Sequence, residues 1–126
     1  MNMAMADVVI SFSKITGSGV CVTSQDGQRV YAQLYEALAG GHRVSLSFSG
    51  VTRMTTAFLN SAVGQLYGEF PADEIRKRML APIDAEPWHL SRLKMVNDRA
   101  KQYFSNKEAY NRILELGIGS GKDEHH

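Results

Sequence analysis

The chain has 126 residues, 44% of them hydrophobic, enough for one compact domain with one core and too few for two comfortable ones. Its 14 basic and 13 acidic residues leave a formal charge of +1, so no whole-molecule field recruits nucleic acid or an anionic membrane, and nucleic acid is not an expected partner. The single cysteine, Cys21, cannot form an internal disulfide and fits a reducing compartment, so the expected location is cytoplasmic. The start "MNMAMADVVI" lacks a signal-peptide pattern, and nowhere do 18 apolar residues run together, so no membrane span is expected.

In chain order, "DVVISFSKI" (7 to 15) is β-branched and apolar, "TGS" (16 to 18) is turn chemistry and "GVCVT" (19 to 23) is a short second strand. Together they predict a hairpin. Ser24 offers an N-cap to a helix that spaces Val30, Leu34 and Leu38 four apart, with Tyr31 and Tyr35 beside them, until Gly40 and Gly41 stop it. "RVSLSFSG" (43 to 50) alternates Val44, Leu46 and Phe48 with serines, which predicts a strand with one small polar face. A second helix follows from Thr55. After Pro71, "ADEIRKRM" places acids before bases and predicts a helical turn or more, and "MLAPID" (79 to 84) reads as a last strand near an edge because of Pro82. From Pro87, Leu90, Leu93, Val96, Ala100 and Phe104 keep helical spacing. "SNKE" (105 to 108) is a capping-box pattern that predicts a separate final helix over about 106 to 116, and a flexible tail is expected over 118 to 126. His125 and His126 could be native or tag and are left out of the chemistry.

These elements predict a single α/β domain: a small mixed sheet of about four strands, with the opening hairpin antiparallel, the later strands parallel, and helices packed on the sheet. Ligands and partners of such sheets meet the loops at the carboxyl ends of the parallel strands, here Ser49 to Thr56.

Conventional catalytic and cofactor chemistry is mostly absent. "GIGSGKD" has Leu116 where a phosphate loop needs glycine and Asp123 where it needs a hydroxyl. His42 and His89 have no second ligand at metal spacing, and the serines of "SLSFSG" have no adjacent base. No enzyme, metal or cofactor is therefore expected. The basic cluster "EIRKR" is interleaved with acids and reads as a solvated face. Trp88 has two readings, an exposed anchor for a partner or a helix-start residue folded onto the core.

The second helix says more. At 100° per residue, Phe58, Leu59, Ala62, Val63, Leu66 and Phe70 share one side, which must face the sheet. The other side carries Ala57, Ser61, Gly64 and Gly68 in a stripe about 60° wide. Each glycine costs a helix interior about 1 kcal/mol relative to alanine, so the bare ridge calls for a close approach by another backbone, helix or ligand. The bland alternative is that Gly68 merely ends the helix. Thr55 and Thr56 sit at the helix start, where a threonine serves either as N-cap or as a hydroxyl for phosphorylation.

"VSLSFSGVTRMTTAFLNSAVGQLYG" (44 to 68) resembles the strand-loop-helix core of STAS domains (sulfate transporter and anti-sigma-factor antagonist), and more closely the bacterial STAS-like family of unknown function. The resemblance extends over about 7 to 104, with 44 to 70 its specific part. It implies a small α/β domain that docks a protein partner, in the best-known members a histidine-kinase-like ATPase that also holds a sigma factor, and that switches partners when a serine at the start of this helix is phosphorylated. Residue by residue, Thr56 falls on that serine and Thr55 on the aspartate before it, while Ser47 stands where an aspartate often ends the strand and Phe58 replaces a glycine. The expected docking residues are Ser49, Arg53, Thr56, Ala57, Asn60, Ser61, Gly64 and Gly68, with Thr56 and Thr55 as candidate phospho-acceptors. Two further readings use the same region: small-ligand or nucleotide binding at Ser47, Ser49 and Thr52, and homodimerisation through the glycine stripe.

Overall fold

The computed structural model describes residues 7–116, so the expected tail at 118 to 126 and the "GIGSGKD" run lie outside the described residues. Strand β1 (Asp7–Ser11) leads directly into a one-turn helix α1 (Phe12–Thr16), followed by β2 (Val20–Cys21), α2 (Ser24–Ala39), β3 (Arg43–Ser47) and β4 (Arg53–Met54). Then come α3 (Thr56–Ala62), a 3-10 helix (Gly64–Gly68), α4 (Ala72–Arg78) and α5 (Pro87–Glu115).

The opening is not a hairpin. Ser11 accepts a hydrogen bond from the Lys14 N–H, and Gly17 sits at φ 87° with its N–H donating to the Ser13 carbonyl. This N-cap and left-handed C-cap close one helical turn, so the glycine read as hairpin chemistry ends a helix instead. The described ladders are accordingly all parallel: β1 pairs β3 from Asp7↔Arg43 to Ser11↔Ser47, and β2 pairs β4 at two positions. The four strands thus form two separate pairs rather than one mixed sheet. The expected last strand survives only as parallel bridges, Val44↔Met79 and Ser47↔Ile83 on β3, with Leu80 and Ile83 donating to the carbonyls of Val44 and Leu46.

Helices α2 and α5 also depart from the sequence reading. Helix α2 is capped by Thr23, one residue before the expected Ser24, and its far end is closed by Gly41 at φ 86° and by Arg78, whose guanidinium donates to the Leu38 carbonyl at 2.7 Å. Helix α5 runs unbroken for 29 residues through Ser105, so no separate final helix begins there. No glycine or proline interrupts 88 to 116, and without a breaker a capping pattern inside a long helix stays helical.

The core gathers Phe12, Phe48 and Phe58 edge to face, with ring centroids 5.0 and 5.3 Å from Phe12, and is closed by Val30, Leu34, Leu59 and Leu66. Phe58, Leu59, Ala62, Val63 and Leu66 are all buried, as the periodicity predicts, and Phe70 packs at the edge against Tyr35.

Candidate functional site

The candidate site is the connection from β3 to α3, residues 48 to 56, and it is tied down from three directions. Phe48 donates to the Ile83 carbonyl, and the Ser13 hydroxyl donates to the Ser49 carbonyl at 2.9 Å. Gly50, at φ 79°, lets the chain turn so that Val51 N–H reaches the Phe48 carbonyl. The Thr52 and Arg53 N–H groups both donate to the Gly19 carbonyl, and the approach is so close that a Cβ on Gly19 would lie 2.0 Å from the Gly50 oxygen.

The third direction is the start of α5. His89 is 1% exposed; its Nδ1 accepts from the Glu86 N–H at 2.9 Å, which leaves Nε2 as the N–H that donates to the Val51 carbonyl at 3.0 Å. Arg92 donates to the Met54 carbonyl and lies over the Trp88 ring, 5.4 Å from its centroid. Trp88 in turn stacks on His89 with centroids 4.0 Å apart, and His89 on Phe48 at 5.0 Å. Of the two readings of Trp88, the packed one holds: it is half-buried beside the core. Nothing local marked His89 or Arg92 for this role, because their acceptors are backbone carbonyls 38 residues away.

The two threonines divide their roles. Thr55 Oγ1 accepts from the Phe58 N–H at 3.1 Å and donates to the Val22 carbonyl at 2.7 Å, so it is the N-cap of α3 with its hydroxyl committed at both ends. Thr56 is partly exposed, and its hydroxyl has no hydrogen-bond partner among the described residues. Ser49, Arg53, Ala57 and Asn60 are exposed, and the Arg53 guanidinium has no ion-pair partner among the described residues. Arg53, Thr55, Trp88 and Arg92 line one shallow concavity.

Part of the rest of the expected docking ridge is taken up by the chain itself. α3 ends at Ala62, and Gly64 and Gly68 bracket the 3-10 helix rather than lying inside an α-helix. Gly64 is buried, and a Cβ there would touch Val96 and Ala100 of α5 at 3.6 and 3.8 Å; one on Gly68 would meet the Phe104 ring at 2.6 Å. Ser61 faces α2, where a Cβ on Gly27 would lie 2.6 Å from the Ser61 Cβ and 2.5 Å from the Phe58 oxygen. The small residues do admit close neighbours, but the neighbours are α5 and α2. Gly64 is thus taken up by α5 and Ser61 lies beside α2, while Gly68 keeps an exposed face next to Phe104, so the stripe is not one continuous bare surface. A Gly64→Arg substitution would drive α5 away. The ligand reading loses Ser47, which is 6% exposed and whose hydroxyl accepts from the Ser49 N–H at 3.3 Å.

Residues 26–82 match the family model described as a STAS-like domain of unknown function. The match runs from the first turn of α2 past α4, and so contains β3, the whole loop and α3. It is narrower than the expected 7 to 104, leaving β1, α1, β2 and the clamping helix α5 outside. Neither the search of curated proteins nor that of solved structures gives a match. Among the described residues no helix is long and apolar enough to cross a membrane.

Proposed function

We propose that the domain is a non-enzymatic regulatory module that docks a protein partner through the loop after β3 and the exposed side of α3. The observation that carries this reading is the division of labour in the loop: its backbone is bound to Ser13, Gly19, His89 and Arg92, while Ser49, Arg53, Thr56, Ala57 and Asn60 point outward. A surface already fixed loses little conformational entropy when a partner settles on it, and a central arginine is a common anchor of such contacts. The partner class is a histidine-kinase-like ATPase or an anti-sigma-type regulator, by analogy with the STAS domains that residues 44 to 68 resemble. Thr56 is the switch position, since Thr55 is spent as a cap; a phosphate there would add close to two negative charges at the start of α3 without breaking the cap.

The test is retention of partners from the source organism's lysate by wild type, Arg53→Glu and Ala57→Arg, all checked for folding. Loss in both variants of a kinase-like ATPase that wild type retains supports the reading. Equal retention by all three would remove the surface. If nothing is retained while a nucleotide raises Tm in wild type and not in Arg53→Glu, the concavity at Thr52, Arg53 and Arg92 is a ligand site instead.

A further inference from the structure

Among the described residues β1 pairs with β3 alone, while β3 bridges Met79 and Ile83 on its other side. β1 is therefore an edge strand. In a parallel ladder only alternate residues bond to the neighbouring strand, so the N–H and C=O groups of the others turn away from β3. A shallow groove runs along that side; it touches Val8, Val9 and Ile10 in succession and has Gln33, Glu36 and Ala37 of α2 as its other wall. Successive side chains of a strand point to opposite faces, so a groove in contact with three in a row follows the strand's open edge.

Natural sheets guard such an edge with a proline, a lysine, a bulge or an inward charge, because its unpaired backbone is a template for another strand. β1 reads DVVIS and has neither proline nor lysine, and its register with β3 is unbroken over five pairs. Its one charge, Asp7, stands at the strand's end and is held across the ladder by Arg43 at 2.9 Å. The side chain at its centre, Val9, is 59% exposed. An apolar, β-branched and unguarded edge is what a strand-pairing surface requires.

We propose that β1 is a dimerisation strand: two copies of this chain join edge to edge through Asp7–Ser11, antiparallel about a two-fold axis at Val9, so that two sheets become one of order β3-β1-β1-β3. Two-fold symmetry is the commonest arrangement of homo-oligomers, and identical strands related by such an axis normal to the sheet run antiparallel. In that register Val9 meets Val9, Val8 meets Ile10 and Asp7 meets Ser11, so the central pairs are β-branched on β-branched and no charge faces a like charge. Moving the axis to Val8 would set Asp7 against Val9. Any extended peptide can hydrogen-bond to an open edge; the match of β1 to itself is what selects a second copy. α1 starts at Phe12 and limits the new ladder to five residues, well under the roughly 800 Å² per partner of a standard interface, so the dimer is weak. None of these residues is among those proposed to dock a partner, so the two readings stand or fall separately.

The test is sedimentation equilibrium of the full chain from about 10 µM to about 1 mM, with amide shifts of ¹⁵N-labelled protein followed over the same dilution. The expected result is a monomer–dimer equilibrium with Kd of about 100 µM and dilution shifts centred on Val8, Val9 and Ile10. In a mixture of ¹³C-labelled and unlabelled chains, contacts between Val9 methyls of the two copies should report the register. Val9→Lys, at an exposed position, sets lysine opposite lysine and should weaken the dimer at least about tenfold while the dilute monomer keeps its Tm. Should that variant fail to fold, the dilution shifts and the mixed-label contacts decide. A dimer unaffected by Val9→Lys, or shifts centred on the exposed Tyr103 and Tyr110 of α5, would overturn the proposal. So would a chain that stays monomeric at about 1 mM, and if its β1 amides then shift on addition of an extended peptide of unrelated sequence, the edge is a peptide-binding strand instead.

Discussion

Gly27 shows how much of this fold rests on a missing atom. It lies in the first turn of α2, buried, with the Phe58 oxygen 2.5 Å and the Ser61 Cβ 2.6 Å from where its own Cβ would be. Backbone cannot yield as a flexible side chain would, so Gly27→Ala should push α2 off α3 and cost about 1–3 kcal/mol in urea unfolding. Gly64 is the contrast. A Cβ there meets Asn60, Val96 and Ala100 at 3.5 to 3.8 Å, ordinary contact, so Gly64→Ala should leave stability unchanged or raise it by up to about 1 kcal/mol. Should Gly27→Ala prove neutral in the same titration, the α2 and α3 backbones are not in the contact described. Cys21 offers a second check at this scale. The thiol is fully buried, and desolvation pushes its pKa up, with the Thr16 hydroxyl opposing and Asp26 reinforcing the shift. A raised pKa means less thiolate at any given pH, so a disulfide reagent at pH 8 should modify the native protein only as fast as it opens, and the urea-unfolded protein at once.

At the scale of elements, α5 is two things in succession. Its first half clamps the loop and packs over Gly64; from Ser105 to Ile113 every residue is exposed. His89→Ala should leave the Glu86 N–H and the Val51 carbonyl without their partner, cost about 2–4 kcal/mol, and speed amide exchange in 51 to 54. Ending the chain after Phe104 should by contrast keep Tm within about 5 °C, because an exposed helix end of some ten residues contributes little by itself. Most of what was legible in the sequence was local. The four-residue spacing of Val30, Leu34 and Leu38, the alternation of β3 and the apolar face of α3 each announce themselves within one element. The pairing of strands did not, since β2 and β4 are two residues long and two residues carry no period. α1 was hidden because its cap and its terminal glycine look like turn chemistry in a β-branched run. The bare ridge at Ser61, Gly64 and Gly68 was visible, but its occupants were not, because Val96, Ala100 and Phe104 lie more than thirty residues further on. Within the site, the capping of Thr55 could be read from its place at a helix start; the grip of His89 and Arg92 on the loop could not.

For the molecule as a whole, the contacts of α3 set how the domain should come apart. α2 leans on it at Gly27, α5 touches the adjoining 3-10 helix at Gly64, and the loop it caps is held by α5. Removing any one of these neighbours exposes the same buried residues, Phe58, Leu59 and Val63, so none can leave early without taking the core with it. This predicts a single cooperative transition even though α5 lies outside the STAS-like match. The protein carries its own reporter, because its one tryptophan, Trp88, sits in the first turn of α5 against His89 and Arg92. Trp88 fluorescence should therefore lose its native signal at the same urea concentration at which far-ultraviolet circular dichroism loses helix. A fluorescence midpoint clearly below the dichroism midpoint would mean that α5 undocks first, and the loop would then stand free of the His89 and Arg92 clamp. His89→Ala separates the cases: in a cooperative domain it moves both midpoints down together, and in a detachable one it moves only the fluorescence.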